Sequence, residues 1–137
     1  RAVIISCLNS GEITGKKDYA GGITGSADLG RISSCENYGS VTSTDGDYVG
    51  GIAGASQGSI DSCWSKCSLA GGDYVGGTAG LATELNNCHT LVTISEGTAY
   101  LGSVAGFAAE DATLSGNTFT GSLGAWTESA MKAKPRR

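Results

Sequence analysis

The sequence predicts an all-β fold: a right-handed parallel β-helix, or β-solenoid, of about 4–5 rungs with 25–29 residues per rung. Two recurrent phrases and one periodicity carry that expectation. The first phrase, Tyr19-Ala-Gly-Gly-Ile-Thr-Gly25, returns at Tyr48–Gly54, Tyr74–Gly80 and Tyr100–Gly106, with the tyrosines 29, 26 and 26 residues apart. The second, Ile4-x-x-Cys7-x-Asn9-x-Gly11-x-Ile13, returns at Ile32–Val41, Ile60–Leu69 and Leu85–Ile94. A degenerate last copy spans Leu114–Leu123. Self-similarity at a fixed period of this length is the mark of a stacked repeat architecture. Within the second phrase Cys35, Asn37, Gly39 and Val41 alternate with Glu36, Tyr38 and Ser40, a period of two that puts each set on one face of a strand.

The repeats divide the chain into a partial rung at 1–17, rungs at 18–46, 47–72, 73–97 and 98–124, and a C-terminal cap and basic tail at 125–137. In each rung the Cys/Asn/Gly/Val set is expected to point inward and the Glu/Tyr/Ser or Trp64/Lys66/Ser68 set outward. Gly11, Gly39 and Cys67 fill one inward column, where backbones in a narrow interior approach closely. In the first phrase Val49 and Ile52 are three apart, so the Gly-Gly step is read as a bend that turns both inward, the glycines supplying unusual backbone angles. Ser56-Gln-Gly58, Thr44-Asp-Gly46 and Gly71-Gly72-Asp73 punctuate the strands as turns. Only Trp126 to Lys134 reads as a short terminal turn or helix. In the last rung Asn117 replaces the cysteine, and Phe107, Phe119 and Trp126 are expected to cover the open end or to form an interface. A single coil buries too few aliphatics to offset the ordering of its backbone, so neighbouring coils must stack into one continuous core.

Composition narrows the function. The chain has 137 residues, 39% hydrophobic and 7% aromatic, which suits a stack of small and β-branched residues. Its 23 glycines and single proline follow no every-third-residue period, which excludes collagen. Ordered aliphatic repeats argue against a disordered linker. A net charge of −4 gives no footprint for nucleic acid, and the basic cluster Lys132, Lys134, Arg136 and Arg137 reads as a solvated tail. No apolar run approaches the ~18 residues of a membrane span, so membrane insertion is not expected. The chain opens at Arg1 without a signal-peptide pattern and partway through a repeat, so it reads as a piece of a longer array.

The two phrases resemble the GLUG repeat of bacterial secreted and surface proteins, including large immunoglobulin A-cleaving metallopeptidases and adhesin-like proteins, over residues 4 to about 124. The resemblance implies a non-catalytic, extracellular β-solenoid segment whose partners are the flanking domains of a larger chain. It supplies no catalytic motif: the zinc-binding His-Glu-x-x-His signature of the metallopeptidase members does not occur, and the chain has one histidine. The asparagine position departs from the pattern at Ser65, Thr90 and Phe119, so an asparagine ladder should be short.

Candidate chemistry is sparse. Cys7, Cys35, Cys63 and Cys88 share a column, with Cys67 on the same face as Cys63. Thiolates stacked linearly at ~4.8 Å cannot converge on a zinc tetrahedron with ~2.3 Å bonds. Cys63 and Cys67 lie about 13 Å apart along a strand, beyond bridging. Adjacent rungs remain as disulfide partners, but buried free thiols are the expected state. Asp18, Asp47 and Asp73 each precede a repeat tyrosine, with Asp45 nearby; they are read as turn residues, calcium being the alternative. No cofactor is expected. Tyr38, Trp64, Lys66 and His89 form an outward aromatic and polar strip of the kind a glycan or a host protein would need. Enzymatic activity is not expected, because Glu84, Glu96 and Glu110 stand alone rather than in catalytic pairs. An ice-binding face would need matched outward threonines, and Thr42, Thr44, Thr118 and Thr120 do not recur in register.

Overall fold

The computed structural model describes residues 2–122, and the cap and tail at 125–137, with the expected Trp126–Lys134 turn and Trp126 itself, lie outside the described residues. The first rung holds β1 (Ala2–Ile5), β2 (Leu8–Asn9) and β3 (Ile13–Gly15). The second holds β4 (Ala20–Gly21), β5 (Thr24–Ala27), β6 (Gly30–Ser33), β7 (Glu36–Asn37) and β8 (Val41–Ser43). The third holds β9 (Val49–Gly50), β10 (Ala53–Ser56), β11 (Ser59–Asp61) and β12 (Trp64–Ala70). The fourth holds β13 (Asp73–Gly76), β14 (Ala79–Asn86) and β15 (His89–Glu96), and the fifth β16 (Ala99–Gly102), β17 (Ala105–Ser115) and β18 (Thr118–Ser122). Each strand pairs in parallel with its counterpart one rung away, giving an all-β solenoid of about four turns with three sheets. Among the described residues there is no helix.

Two of the three corners between the sheets are built from residues with left-handed backbone. One column is Ser6, Ser34, Ser62, Asn87 and Gly116, each just before the cysteine position, with φ between 54° and 70°. The other is the repeat tyrosine itself: Tyr19, Tyr48, Tyr74 and Tyr100 have φ of 69°, 66°, 64° and 59°. The unusual angle of the first phrase therefore sits on the tyrosine, not on the Gly-Gly pair expected to carry it. The glycines answer a different need. A Cβ on Gly50 would stand 2.0 Å from the Ala53 carbonyl oxygen, and one on Gly51 would stand 2.3 Å from the Gly77 carbonyl oxygen. The chain folds back on itself and on the next rung so closely that no side chain fits. The expected consequence holds: Val49 and Ile52 both face the interior and are fully buried.

The interior is made of registered columns. Ile32, Ile60 and Leu85 pair directly across rungs, as do Val49 and Val75, and Val41 and Leu69. These residues fall into two buried clusters, one around Val41, Val49, Leu69 and Val75, the other around Ile32, Ile52, Ile60 and Leu85. Gly39 is buried in the expected close-approach column, its absent Cβ only 1.9 Å from the Gly11 carbonyl oxygen. Between β14 and β17 the register shifts after Ala82, where β17 carries extra residues outward. Phe119 packs partly buried on the first cluster. Phe107 departs from the expected cap: it lies edge-on against Tyr74 and Tyr100, with centroids 5.9 and 5.8 Å away. Its position on β17 pairs with Leu81 of β14, so it belongs to the side of the stack, beside the tyrosine column.

Candidate functional site

A stacked repeat turns every recurrent side chain into a ladder, and the ladders decide which groups are free to act. The tyrosines form a ladder of stacked rings: ring centroids are 4.9 Å apart for Tyr19–Tyr48 and 4.6 Å for Tyr48–Tyr74 and Tyr74–Tyr100, with planes within 12° of parallel. The left-handed backbone at each tyrosine aims all four rings the same way, and the rung spacing brings them into contact. Burial holds the Tyr48 and Tyr74 phenols above their ordinary range.

The aspartates expected in turns are inter-rung acceptors. Asp18 Oδ1 accepts the Asp47 amide at 2.7 Å, Asp47 Oδ1 accepts the Asp73 amide at 2.8 Å, and Asp73 Oδ1 accepts the Thr98 hydroxyl. A shallow cleft of about 280 Å³ adjoins them, lined by Asp18, Asp45, Asp47 and Glu96. Among the described residues no three histidine, cysteine or acidic side chains gather as a metal-binding group.

All five cysteines are unbridged. The Cys7 amide donates to Cys35 Sγ at 3.5 Å and the Cys35 amide to Cys63 Sγ at 3.4 Å. At the last rung Asn117 Oδ1 takes over this role, accepting the Cys88 amide at 2.8 Å, so the asparagine continues the ladder. Cys35, Cys63 and Cys88 are buried, but Cys7 is exposed and Cys67 half-buried. Cys7 thus holds the expected column without the expected burial, because burial of an inward residue requires a rung on each side. Burial pushes the Cys67 thiol up to about 11, and the hydrogen bond to Cys88, with burial, pushes the Cys63 thiol up. The asparagine ladder is short, as expected: Asn9 Nδ2 donates to Asn37 Oδ1 at 2.8 Å, and Asn37 closes on Gly39 through both its oxygen and its nitrogen. Ser65 occupies the next position with its hydroxyl unpartnered, and Thr90 donates to the Thr118 carbonyl at 2.9 Å.

The four residues of the outward strip lie where the alternation places them. Trp64 of β12 pairs with His89 of β15 on one side and Glu36 of β7 on the other. The Trp64 and His89 rings are 4.6 Å apart and tilted by 39°, and His89 Nδ1 is hydrogen-bonded to Thr118 Oγ1 at 2.7 Å. Lys66 follows Trp64 on the same face and pairs with Leu91. Tyr38 stands on the rung before, its hydroxyl donating to Glu36 Oε1, and that bond holds the phenol above its ordinary range. Two contributors, Glu36 and Thr118, are read from the sequence without being joined to the strip. The signal was present, since both occupy the column of Trp64 and His89 one rung away. A separate groove of about 480 Å³ is lined by Val3, Leu29, Arg31, Gln57, Thr83 and Glu84.

No family model, curated protein or solved structure matches the chain.

Proposed function

We propose that the chain is a non-catalytic structural and interaction segment of a larger extracellular bacterial protein, secreted or displayed at the cell surface, where it acts as a spacer or adhesion module beside other domains. The resemblance of its phrases to GLUG repeats motivates the extracellular setting. The observation that carries the spacer reading is the set of ladders. The recurrent aspartates, cysteines, asparagines and tyrosines are engaged rung to rung, which makes a rod held by side chains as well as by backbone.

Small-angle X-ray scattering of the chain placed between two globular reporter domains tests this reading. A rod gives one narrow inter-domain distance, and a broad distribution would overturn it. Release of reducing ends from a panel of polysaccharides would overturn the non-catalytic part. A second reading, recognition of a glycan or host protein by the outward face, is favoured by one observation: Trp64, on the same sheet as Lys66 and His89, and Tyr38, just past β7, are 44% and 43% exposed.

A further inference from the structure

We propose that Trp64, Glu36, Tyr38 and Lys66 form a subsite for one pyranose ring of a neutral or acidic glycan; this rests on the outward-face reading just given. Aromatic ladders ordinarily make poor sugar platforms, because stacking covers the ring faces. Tyr48 and Tyr74 each have a ring against both faces. Trp64 differs. Among the described residues its one ring neighbour is His89, and the register places Glu36, not a ring, across from its other side. Trp64 remains 44% exposed.

Beside that indole stands a ready-made hydroxyl-binding pair. The Tyr38 hydroxyl donates to one oxygen of Glu36, which leaves the second carboxylate oxygen to accept from a ligand and the phenol oxygen to accept a further bond. A pyranose offers the complement: an apolar C–H face for the indole and equatorial hydroxyls for the carboxylate and phenol. Adjacent rungs are ~4.8 Å apart, about the thickness of a ring stacked on another, so a sugar on Trp64 lies over Glu36. His89 backs the indole and is itself fixed by Thr118.

Trp, Tyr and a carboxylate also suit a quaternary ammonium guest. Lys66 argues against that. It lies on the same face two residues from Trp64 and has no ion-pair partner among the described residues. Its charge offsets that of Glu36, so the subsite holds no net negative charge to draw in a cation; it suits a neutral sugar or, beside the ammonium, a carboxylate-bearing one.

The test uses the full chain carrying Trp126→Phe, so that Trp64 is the sole indole. Its emission is followed during titration with cellotetraose, chitotetraose, trigalacturonate and tetramethylammonium. The expected result is a saturable change with at least one saccharide and none with tetramethylammonium. By calorimetry Trp64→Ala should weaken that saccharide at least about tenfold, while His89→Ala, which removes the backing ring but no sugar contact, should stay within about threefold. A saccharide that binds Trp64→Ala as well as the parent overturns this subsite and leaves outward-face recognition standing. No response to any of the saccharides overturns the subsite and the glycan form of that reading, and a response to tetramethylammonium alone overturns the assigned ligand class as well.

Discussion

Replacing Gly50 by alanine puts a methyl group where backbone already stands. Its Cβ would lie 2.0 Å from the Ala53 carbonyl oxygen within its own rung, and 2.6 Å from Ala79 Cα and 2.8 Å from the Thr78 carbonyl oxygen of the next. None of these atoms belongs to a side chain that can swing away, so the segment itself must move. That segment carries three inter-rung bonds: Gly51 to Gly77 at 3.1 Å, Ile52 to Thr78 at 2.9 Å and Ala53 to Thr78 at 3.0 Å. Losing them at ~1 kcal/mol each, with an overpacking cost of ~1–3 kcal/mol, gives a destabilisation of about 4–6 kcal/mol. That is a large part of the ~5–15 kcal/mol available to a domain. Gly11→Ala is the matched control, since its Cβ would meet nothing closer than Asn9 Oδ1 at 3.8 Å, and it should be neutral or slightly stabilising. Denaturant unfolding measures both, and thermal melting should show Gly50→Ala lowered by more than about 10 °C. Equal stability of the two variants would refute the folded-back geometry of the Tyr-x-Gly-Gly turn.

Thiol labelling of native protein should modify Cys7 at once, Cys67 slowly, and Cys35, Cys63 and Cys88 only on unfolding; fast reaction of the buried three would reverse the strand faces. The Cys67 thiol is raised from 9.0 to about 11 by burial, and the Tyr48 and Tyr74 phenols are raised from 10.0. The folded state therefore holds protons that the unfolded chain releases, so stability is full below pH 9 and falls as pH climbs through about 11. Melting temperature measured against pH reports it, and a flat profile through that window would contradict the burial of these groups. Asn37→Leu removes the acceptor of Asn9 and Gly39 and the donor to Gly39 in a fully buried site, and should cost about 2–4 kcal/mol in denaturant unfolding. A loss below ~0.5 kcal/mol would show that the asparagine ladder is incidental.

Strand faces were legible because a period of two is visible in the residues themselves: Cys35, Asn37, Gly39 and Val41 are all buried, and Tyr38 is exposed. The outward strip was legible for the same reason. The glycine pair was misread because sequence does not distinguish a glycine chosen for its backbone angle from one chosen for lack of a side chain. Here Tyr48 takes the angle and Gly50 yields the space. The aspartate column was visible, but its role was not: a residue that suits a turn equally well accepts an amide from the next rung, and only the register reveals the donor. Phe107 was placed by size alone, as a cover for an open end. Its partner on β14 and the edges of Tyr74 and Tyr100 instead hold it on the side of the stack. Glu36 is legible as an outward residue but not as part of the strip, because that part depends on its hydrogen bond to Tyr38 and its pairing with Trp64.

Nuclear Overhauser contacts between the methyl groups of Ile32, Ile60 and Leu85 test the central claim most directly. The parallel, in-register stack predicts contacts of Ile60 with both Ile32 and Leu85. Along the same strands it predicts that residue offsets keep one sign, as in Ser59 with Arg31 and Asp61 with Ser33. Contacts whose offsets reverse sign, Ser59 with Ser33 and Asp61 with Arg31, would mean antiparallel pairing and would contradict the solenoid.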